Sequence, residues 1–466
     1  MNVNLKILSH HWKLSINKQW VQFGIITLIV LTSTIISYWG TQRLFVLLLA
    51  LLGGATILLL LIRQIRIGFV FLLLASMFVP FSGPGGVNAT IFVIALMLVL
   101  WLLNMVVVER QFNIIKSRIV LPTVLFILVS ILAFGMGQIP WLQFANQAPL
   151  DAQLGGFAVF ALSLGFMLAT AHLIQNTKWL EIIVWGFIGL SMPLVLIRAF
   201  DLPIGQFYRQ GFTAQSMLWT WLVALMIGQL LFNGTLSRRF RWLLLIGLLL
   251  TFYVAMVKQN DWKSGWVPAA LVVVIAVGLK YIKVVRFAIP FMLIGAISLV
   301  QYLIASDQYS WDTRVDAWRI VLEISKISPI LGLGFANYYW YVPLFRIRGF
   351  YVQFSSHNQY VDIIAQTGVL GLLCCVWLFF EIGRLAWYLM EHLPEGFDKA
   401  YSYGTFFGLI GCIMAGFLAD WLLPFVYNIG LDGFRASILP WVFFGGLIAI
   451  EKIHLANKSR IIKDQL

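Results

Sequence analysis

Residues 44–62 read LFVLLLALLGGATILLLLI and contain no charged side chain. Residues 91–108 form a second uncharged run of the same kind. A helix of about 20 apolar residues crosses the roughly 30 Å hydrocarbon core of a bilayer. Such a helix satisfies its own backbone hydrogen bonds, as a segment in lipid must. These runs therefore predict membrane-spanning helices.

The composition of the whole chain supports this prediction. Of its 466 residues, 61% are hydrophobic and only 11% are charged, which excludes a series of soluble domains. The net charge of +14 does not indicate nucleic-acid binding, because no Lys/Arg run is interleaved with aromatic residues. All three cysteines fall inside apolar runs, so neither a disulfide framework nor a zinc site is predicted. The expected fold is an all-α integral membrane protein.

Hydropathy predicts about fourteen transmembrane helices. Those at 67–81 and 436–450 are short enough to be re-entrant segments or tilted partners rather than full crossings. The predicted spans are 23–39, 44–62, 67–81, 89–108, 119–135, 155–174, 179–197, 215–232, 242–257, 266–282, 287–305, 361–380, 404–422 and 436–450.

The distribution of cations predicts the orientation. With both termini in the cytoplasm, about two thirds of the 32 lysines and arginines fall on the inner side, as the positive-inside rule requires. This arrangement divides the chain into a cytoplasmic interfacial segment (1–22), helices 1–11 (23–305), a long outer loop (306–360), helices 12–14 (361–450) and a cytoplasmic tail (451–466).

The outer loop contains a predicted amphipathic helix from Thr313 to Ile327, lying near the membrane surface. Thr313 is the expected N-cap, with Asp316 in the capping-box position. Pro329 and the turn 332–334 are expected to end the helix. The expected apolar stripe consists of Val315, Trp318, Leu322 and Ser325, and the aromatic residues Tyr338, Tyr339, Trp340 and Tyr341 are expected at interfacial depth.

Only one histidine is predicted on the outer face. It is His357, which stands beside Asn358 just before a predicted span. A lone histidine at a helix start is often only a cap, so the surrounding pattern decides its interpretation. The other five are placed in cytoplasmic segments or within spans: His10, His11, His172, His392 and His454.

Three stretches around His357 carry a family resemblance. Residues 313–318 read TRVDAW, residues 327–337 read ISPILGLGFAN, and residues 357–373 read HNQYVDIIAQTGVLGLL. This pattern resembles the signature of the O-antigen ligase and polymerase family, which are bacterial membrane glycosyltransferases with a GT-C type helical fold. The resemblance is specific over about sixty residues, from Arg314 to Leu373, and weaker over residues 200–270.

The resemblance implies three catalytic residues: Arg314 in the loop helix, His357 of the His-Asn pair, and Arg209 in YRQGFT, residues 208–213. Members of the family often have Ser-Arg-Gly at the head of one span. This chain has KSGW at 263–266, which leaves Lys263 as a substitute for that arginine. Lys263 and three further residues are expected to bind substrate: Asn358, Trp318 and Tyr360.

The chemistry of these side chains agrees with the resemblance. A sugar on a lipid diphosphate leaves as a diphosphate, and arginine forks meet phosphate oxygens in two places. A histidine with a pKa near ~6.5 is the usual base for an acceptor hydroxyl. Asp316 and Asp362 are alternative bases, and Asp420 is a further residue that could line the donor site. The outer loops show no paired carboxylates of the kind that hold a metal, so no metal or other cofactor is expected.

The resemblance implies transfer of a glycan from an undecaprenyl-diphosphate carrier to an acceptor at the outer face of the bacterial cytoplasmic (inner) membrane. Its expected partners are that donor, a glycan or lipid-glycan acceptor and the lipid bilayer. A ligase is favoured because polymerases often carry two sizeable outer loops and this chain has one. The alternative is a transporter or flippase for lipid-linked oligosaccharide, although no internal repeat indicates one.

Overall fold

A computed structural model describes residues 42–80, 83–111, 115–203, 205–285 and 304–464, together with positions 27, 298 and 301. The chain divides into two compact units, residues 1–63 and 64–466. The described part of the first unit is the apolar helix α1 (Gln42–Arg63).

The second unit is built from helices and short turns, and its described residues contain no named strand. Its first nine helices are α2 (Gly68–Phe78), α3 (Ala89–Leu103), α4 (Val120–Met136), α5 (Leu150–Leu173), α6 (Thr177–Ala199), α7 (Gln210–Thr213), α8 (Ser216–Phe232), α9 (Arg238–Tyr253) and α10 (Lys263–Lys280). Wider π-helical turns extend α3 through Asn104–Val108 and α9 through Val254–Lys258.

The remaining helices surround the predicted loop. They are the four-residue α11 (Ile282–Val285), α12 (Gln308–Ser325), α13 (Tyr338–Tyr341), α14 (Gln359–His392), α15 (Phe397–Leu418) and α16 (Phe434–Asp464). Short 3-10 turns occur at Ile65–Ile67, Pro84–Gly86, Gly205–Phe207, Val342–Leu344 and Leu431–Gly433.

Eight helical segments in the described residues are long and apolar enough to cross a bilayer. They begin at residues 89, 150, 177, 238, 263, 359, 397 and 431, and four shorter apolar helices accompany them. The prediction of an all-helical membrane protein is thus confirmed. Fourteen spans remain a prediction, because most of 23–39 and of 287–305 lies outside the described residues, as does the predicted interfacial segment 1–22.

The innermost helices are α8 and α16. In α8, the fourteen consecutive residues from Ser216 to Gln229 are all buried. Every residue from 433 to 450 is buried as well. A helix that is apolar on all sides is expected where other helices surround it. The predicted span 436–450 belongs to a longer helix than expected, since α16 runs from Phe434 to Asp464 and the apolar segment Leu431–Ala456 is long enough to cross a bilayer.

The turn after α12 inserts into a break in α14. Gly368 interrupts α14 with φ 71°, and Val369 N–H donates to the Pro329 carbonyl at 2.8 Å. Gly332 also has positive φ, and a Cβ on it would lie 2.6 Å from backbone atoms of α14. Only glycine allows both this backbone conformation and this approach. The turn therefore anchors the loop on the helix that follows His357.

The loop helix begins earlier than the sequence predicted. Its N-cap is Asp307, whose carboxylate accepts from Ser310 N–H at 3.2 Å, so the Thr313 cap was wrong and Asp316 lies within the helix. The buried face consists of Ala317, Val321, Ile324 and Ser325. Leu322 is 39% exposed, so of the predicted stripe only Ser325 is buried.

Two tyrosines of the aromatic run are buried inside the protein. Tyr338 and Tyr341 have no exposed surface, because α13 packs against the loop helix and the segment after α15. Tyr338 stacks on Phe425 with ring centroids 4.8 Å apart. These two tyrosines therefore pack inside the protein, and their interfacial depth stays a prediction.

Candidate active site

His357 occupies a strained turn immediately before α14. Its φ is +49°, in the left-handed region that non-glycine residues rarely adopt. Asn358 caps α14, because its Oδ1 accepts from Tyr360 N–H at 3.0 Å and from Val361 N–H at 3.2 Å. Strain of this kind persists only where surrounding contacts hold it, and it concentrates at functional sites.

Asn428 joins His357 to Asp420. The amide nitrogen Nδ2 of Asn428 donates to Asp420 Oδ1 and lies 3.1 Å from His357 Nδ1. A carboxylate only accepts hydrogen bonds, so the amide NH₂ group of Asn428 must face the corner formed by Asp420 and His357. His357 Nδ1 then accepts, and the hydrogen of the neutral ring is on Nε2.

Asp420 is fully buried just beyond the end of α15. Its other oxygen, Oδ2, accepts from Phe425 N–H at 2.7 Å. Burial raises the pKa of Asp420 to about 6, against the opposing effect of hydrogen bonds from Phe425 and Asn428. The carboxylate is therefore ionised at neutral pH and protonates in mild acid.

Arg314 reaches the same corner from α12. Its Nη1 donates to the Leu418 carbonyl at 2.8 Å, and the guanidinium interacts electrostatically with Asp307 and Asp420. Burial lowers the pKa of Arg314, but arginine starts so high that it remains a cation. Burial and then the Arg314 charge lower the pKa of His357 to about 4. The ~6.5 assumed from sequence is thus corrected: His357 is neutral at physiological pH.

Three of the residues predicted to bind substrate make hydrogen bonds within the protein framework. Trp318 Nε1 donates to the Ser356 carbonyl at 2.7 Å. Asn358 is 3% exposed, and its Nδ2 donates to the Phe417 carbonyl at 3.2 Å while its Oδ1 caps α14. The Tyr360 hydroxyl donates to the Ile413 carbonyl at 2.8 Å. These side chains fasten the loop and α14 to the end of α15, beside Arg314 and His357.

Lys263 lies near this cluster without touching its centre. Its Nζ donates to the Ser306 hydroxyl, next to Asp307. The neighbouring Trp262 ring meets Trp421 edge to face with centroids 5.8 Å apart, and Trp421 follows Asp420 in the chain. The head of α10 therefore borders the candidate site.

Arg209 lies at a separate position, at the start of α7. Its backbone N–H donates to the Met77 carbonyl at 2.9 Å. Its Nε is buried and has no hydrogen-bond partner among the described residues. The structure thus places Arg314 and His357 within electrostatic range of each other, whereas Arg209 packs beside the end of α2.

An ion pair between a buried arginine and an exposed aspartate holds the Arg209 segment. Arg435 is 1% exposed, and its Nε lies 2.6 Å from Asp432 Oδ1. Its Nη1 donates to the carbonyls of Ala75 and Val79, at 3.0 and 2.9 Å. Gly211 packs on Asp432 so closely that a Cβ there would lie 2.1 Å from Oδ2. Arg435 thereby holds the end of α2 and the Arg209 turn at one place.

Of the two alternative bases, Asp362 does not face an open site. Asp362 is fully buried, and its Oδ1 accepts from the Tyr338 hydroxyl and from Ser356 Oγ, the latter at 2.7 Å. Asp316 lies on α12. Among the described residues, no group of three or more His, Cys, Asp or Glu side chains is arranged to hold a metal ion.

Sequence reasoning missed Asn428 altogether. It lies in the irregular segment after α15, and no periodicity or motif in 420–430 marks it. Asp420 was noticed as an acidic residue at a helix end, but its link to His357 depends on tertiary contacts. The Asp432–Arg435 pair has i,i+3 spacing, which is the one signal that could have found it.

Titration of Asp420 predicts how activity depends on pH. Above about pH 6 its ionised oxygen accepts from Asn428 and fixes the His357 tautomer, so the transfer rate should be high. As pH falls through about 6, protonation removes this restraint and the rate should fall, while His357 stays neutral until about pH 4. Initial rates of wild type and Asp420→Asn check this. A wild-type rate that rises below pH 6 would contradict it and indicate that Nε2 accepts a proton.

Comparison with known proteins adds a finding about the middle of the chain. Residues 221–376 match a family described as O-Antigen ligase. No curated protein matches the chain. The matched segment contains Lys263, Arg314, Trp318 and His357, and it ends within α14. This match confirms the resemblance in the loop motifs: residues 221–376 are similar to the O-antigen ligase family.

Proposed function

We propose that this protein is a metal-independent glycosyltransferase that moves a glycan from undecaprenyl diphosphate to an acceptor, as an O-antigen ligase does. The family match supports glycan transfer at a membrane in general terms. We further propose an undecaprenyl-diphosphate carrier, a glycan or lipid-glycan acceptor, a GT-C type of fold and a ligase rather than a polymerase. The single long loop supports the ligase.

The observation that carries the proposal is the pairing of Arg314 with His357 inside the family segment. In transfer, an acceptor oxygen bonds to the anomeric carbon while the bond from that carbon to the diphosphate breaks. The electron pair stays on the diphosphate, and the hydroxyl proton is released. Negative charge therefore grows on the leaving group, and a preorganised cation stabilises it most where water is excluded. Arg314 is such a cation, partly buried and held by the Leu418 carbonyl.

His357 is proposed to assist the same leaving group. Its Nε2 carries the hydrogen while Asn428 donates to Nδ1, so the ring donates a hydrogen bond. With a pKa of about 4, it is also a weak base at neutral pH. This arrangement does not favour the base role predicted from sequence, and it makes an oxygen of the diphosphate the better partner for Nε2–H.

Arg209 and Lys263 are proposed to complete the donor site. The Arg209 Nε is buried without a partner among the described residues, so a bound phosphate oxygen would satisfy it. A diphosphate has two phosphoryl groups, which suits cations on separate segments. In this proposal the substrate bridges Arg209 to the Arg314 corner, with Lys263 at its edge.

The proposed location is the inner membrane of a bacterium, with both termini in the cytoplasm and the loop outside. Tyr351 is 60% exposed in the loop, Arg239 is exposed at the start of α9, and all three native cysteines are buried. A membrane-impermeant maleimide should label Tyr351→Cys in intact cells and label Arg239→Cys only after permeabilisation. Labelling in the reverse order would place the loop on the cytoplasmic side and contradict the proposed topology.

The function itself is tested with purified full-length protein and undecaprenyl-diphosphate-linked glycan. A lipid-linked core oligosaccharide should become glycosylated, and addition of a chelator should not change the rate. Elongation of the glycan on a second carrier molecule instead would identify a polymerase. Movement of the donor across vesicle membranes without any transfer would identify a flippase.

A further inference from the structure

A cavity with four charged side chains in its lining lies at the other end of α14 from His357. Its volume is about 320 Å³, within the range of about 300–1,000 Å³ typical of small-molecule sites. It opens between the start of α4, the last turns of α14 and the end of α16. The helix α4 starts at this cavity, and its 17 residues make roughly 25 Å of helix, most of the thickness of the hydrocarbon core. At its other end, Gly137 packs on Gly334 of the long loop. The cavity therefore lies at the level of lipid headgroups on the membrane face opposite the candidate active site.

The charges around this cavity balance. Arg118 and Arg384 provide two cations, and Glu381 and Glu451 provide two anions. Arg384 Nη2 pairs with Glu381 Oε2 at 2.8 Å, and both arginines interact electrostatically with Glu451. A purely anionic ligand would meet two carboxylates here. A zwitterion with a phosphate and an ammonium group complements both signs.

Glu451 selects the kind of ammonium group. Its Oε2 is buried and has no hydrogen-bond partner among the described residues. A buried acceptor of this kind gains from a donated hydrogen bond. A primary ammonium has three N–H donors, whereas a quaternary ammonium has none. The site therefore discriminates ethanolamine from choline.

The walls of the cavity fit a lipid. Ile119 and Leu385 provide apolar surface, and Leu455 is 47% exposed at the edge. An apolar edge of this kind lets acyl chains leave toward the bilayer while the headgroup stays between the charges. We propose that this cavity binds the phosphoethanolamine headgroup of a membrane phospholipid, with the phosphate on Arg118 and Arg384 and the ammonium on Glu451.

Native mass spectrometry of the purified full-length protein tests this proposal. Phosphatidylethanolamine and phosphatidylcholine with identical acyl chains are added at equal concentration, with phosphatidylglycerol in a third arm. Wild type should retain phosphatidylethanolamine about tenfold better than either, the ratio expected for a charged hydrogen bond. Glu451→Gln should remove the preference for ethanolamine over choline. Arg118→Gln, at an exposed position, should weaken retention of both zwitterionic lipids.

Glu395→Gln is the matched control, because Glu395 is exposed and pairs with Lys399 in a different pocket. It should leave the preference unchanged. Equal retention of the lipids by wild type, stronger retention of phosphatidylglycerol, or an unchanged preference in Glu451→Gln would overturn the proposal. Displacement of the lipid by inorganic phosphate would also overturn it and indicate a simple anion site. If Glu451→Gln does not fold, the wild-type lipid ratio and Arg118→Gln still decide the outcome.

Discussion

His357→Ala is expected to lower the transfer rate by about 10²- to 10³-fold, the usual cost of removing one preorganised donor from a reacting oxyanion. The turn that holds His357 is fixed by the Asn358 cap and by Ser356, whose Oγ donates to the Asn358 carbonyl at 2.9 Å. Neither contact uses the imidazole. The variant should therefore fold, and the loss should appear in turnover more than in donor binding.

His392→Ala provides the matched control. His392 lies in the last turn of the same helix, stacked on Tyr388 and far from the candidate site. Its replacement should leave the rate within about twofold of wild type, as expected for a surface substitution. His357→Gln, which keeps an N–H donor, should recover part of the activity. Equal rates for His357→Ala and wild type would remove His357 from the site.

Arg314→Lys is the second large expected effect, a rate loss of about 10²-fold or more. Lysine keeps the charge but loses the planar fork. The guanidinium can donate to the Leu418 carbonyl and to a phosphate oxygen at the same time. The single ammonium group of lysine cannot reach both. Turnover measured at saturating donor separates this loss from weaker binding.

Arg319→Lys is the control for this change, because Arg319 lies five residues further along the same helix and is exposed. It should behave like wild type. A different change at position 314 tests the pKa of His357: Arg314→Ala removes a charge that lowers this pKa, which should then rise from about 4. If Arg314→Lys retains normal turnover, Arg314 only fastens the loop to α15.

Hydropathy was sufficient to locate the helices, because apolar length is a local property of the sequence. The run 44–62 lies within α1, and the run 91–108 lies within α3 and its π-helical turn. The insertion of Gly332 into the break at Gly368 could not be predicted in the same way. It depends on backbone contacts between segments more than thirty residues apart. A glycine in the sequence does not indicate which distant segment it will contact.

In the candidate site too, local motifs could be predicted from the sequence and tertiary contacts could not. Arg314 and His357 stand in motifs that the sequence displays, and the structure brings them together. Asn428 has no local signal, because its role comes from the fold of the segment after α15. The ordinary pKa of histidine was the wrong guide for His357, since burial and a neighbouring cation are tertiary effects.

The most direct measurement is a single-turnover reaction with purified protein in which glycosylated acceptor and free undecaprenyl diphosphate are followed together. For wild type, both products should appear at the same rate and in equal amounts. The double variant Arg314→Lys, His357→Ala should produce neither on this timescale, while still retaining the lipid-linked donor. Transfer by the double variant at a rate comparable to wild type would contradict the assignment of the chemistry to the Arg314–His357 corner.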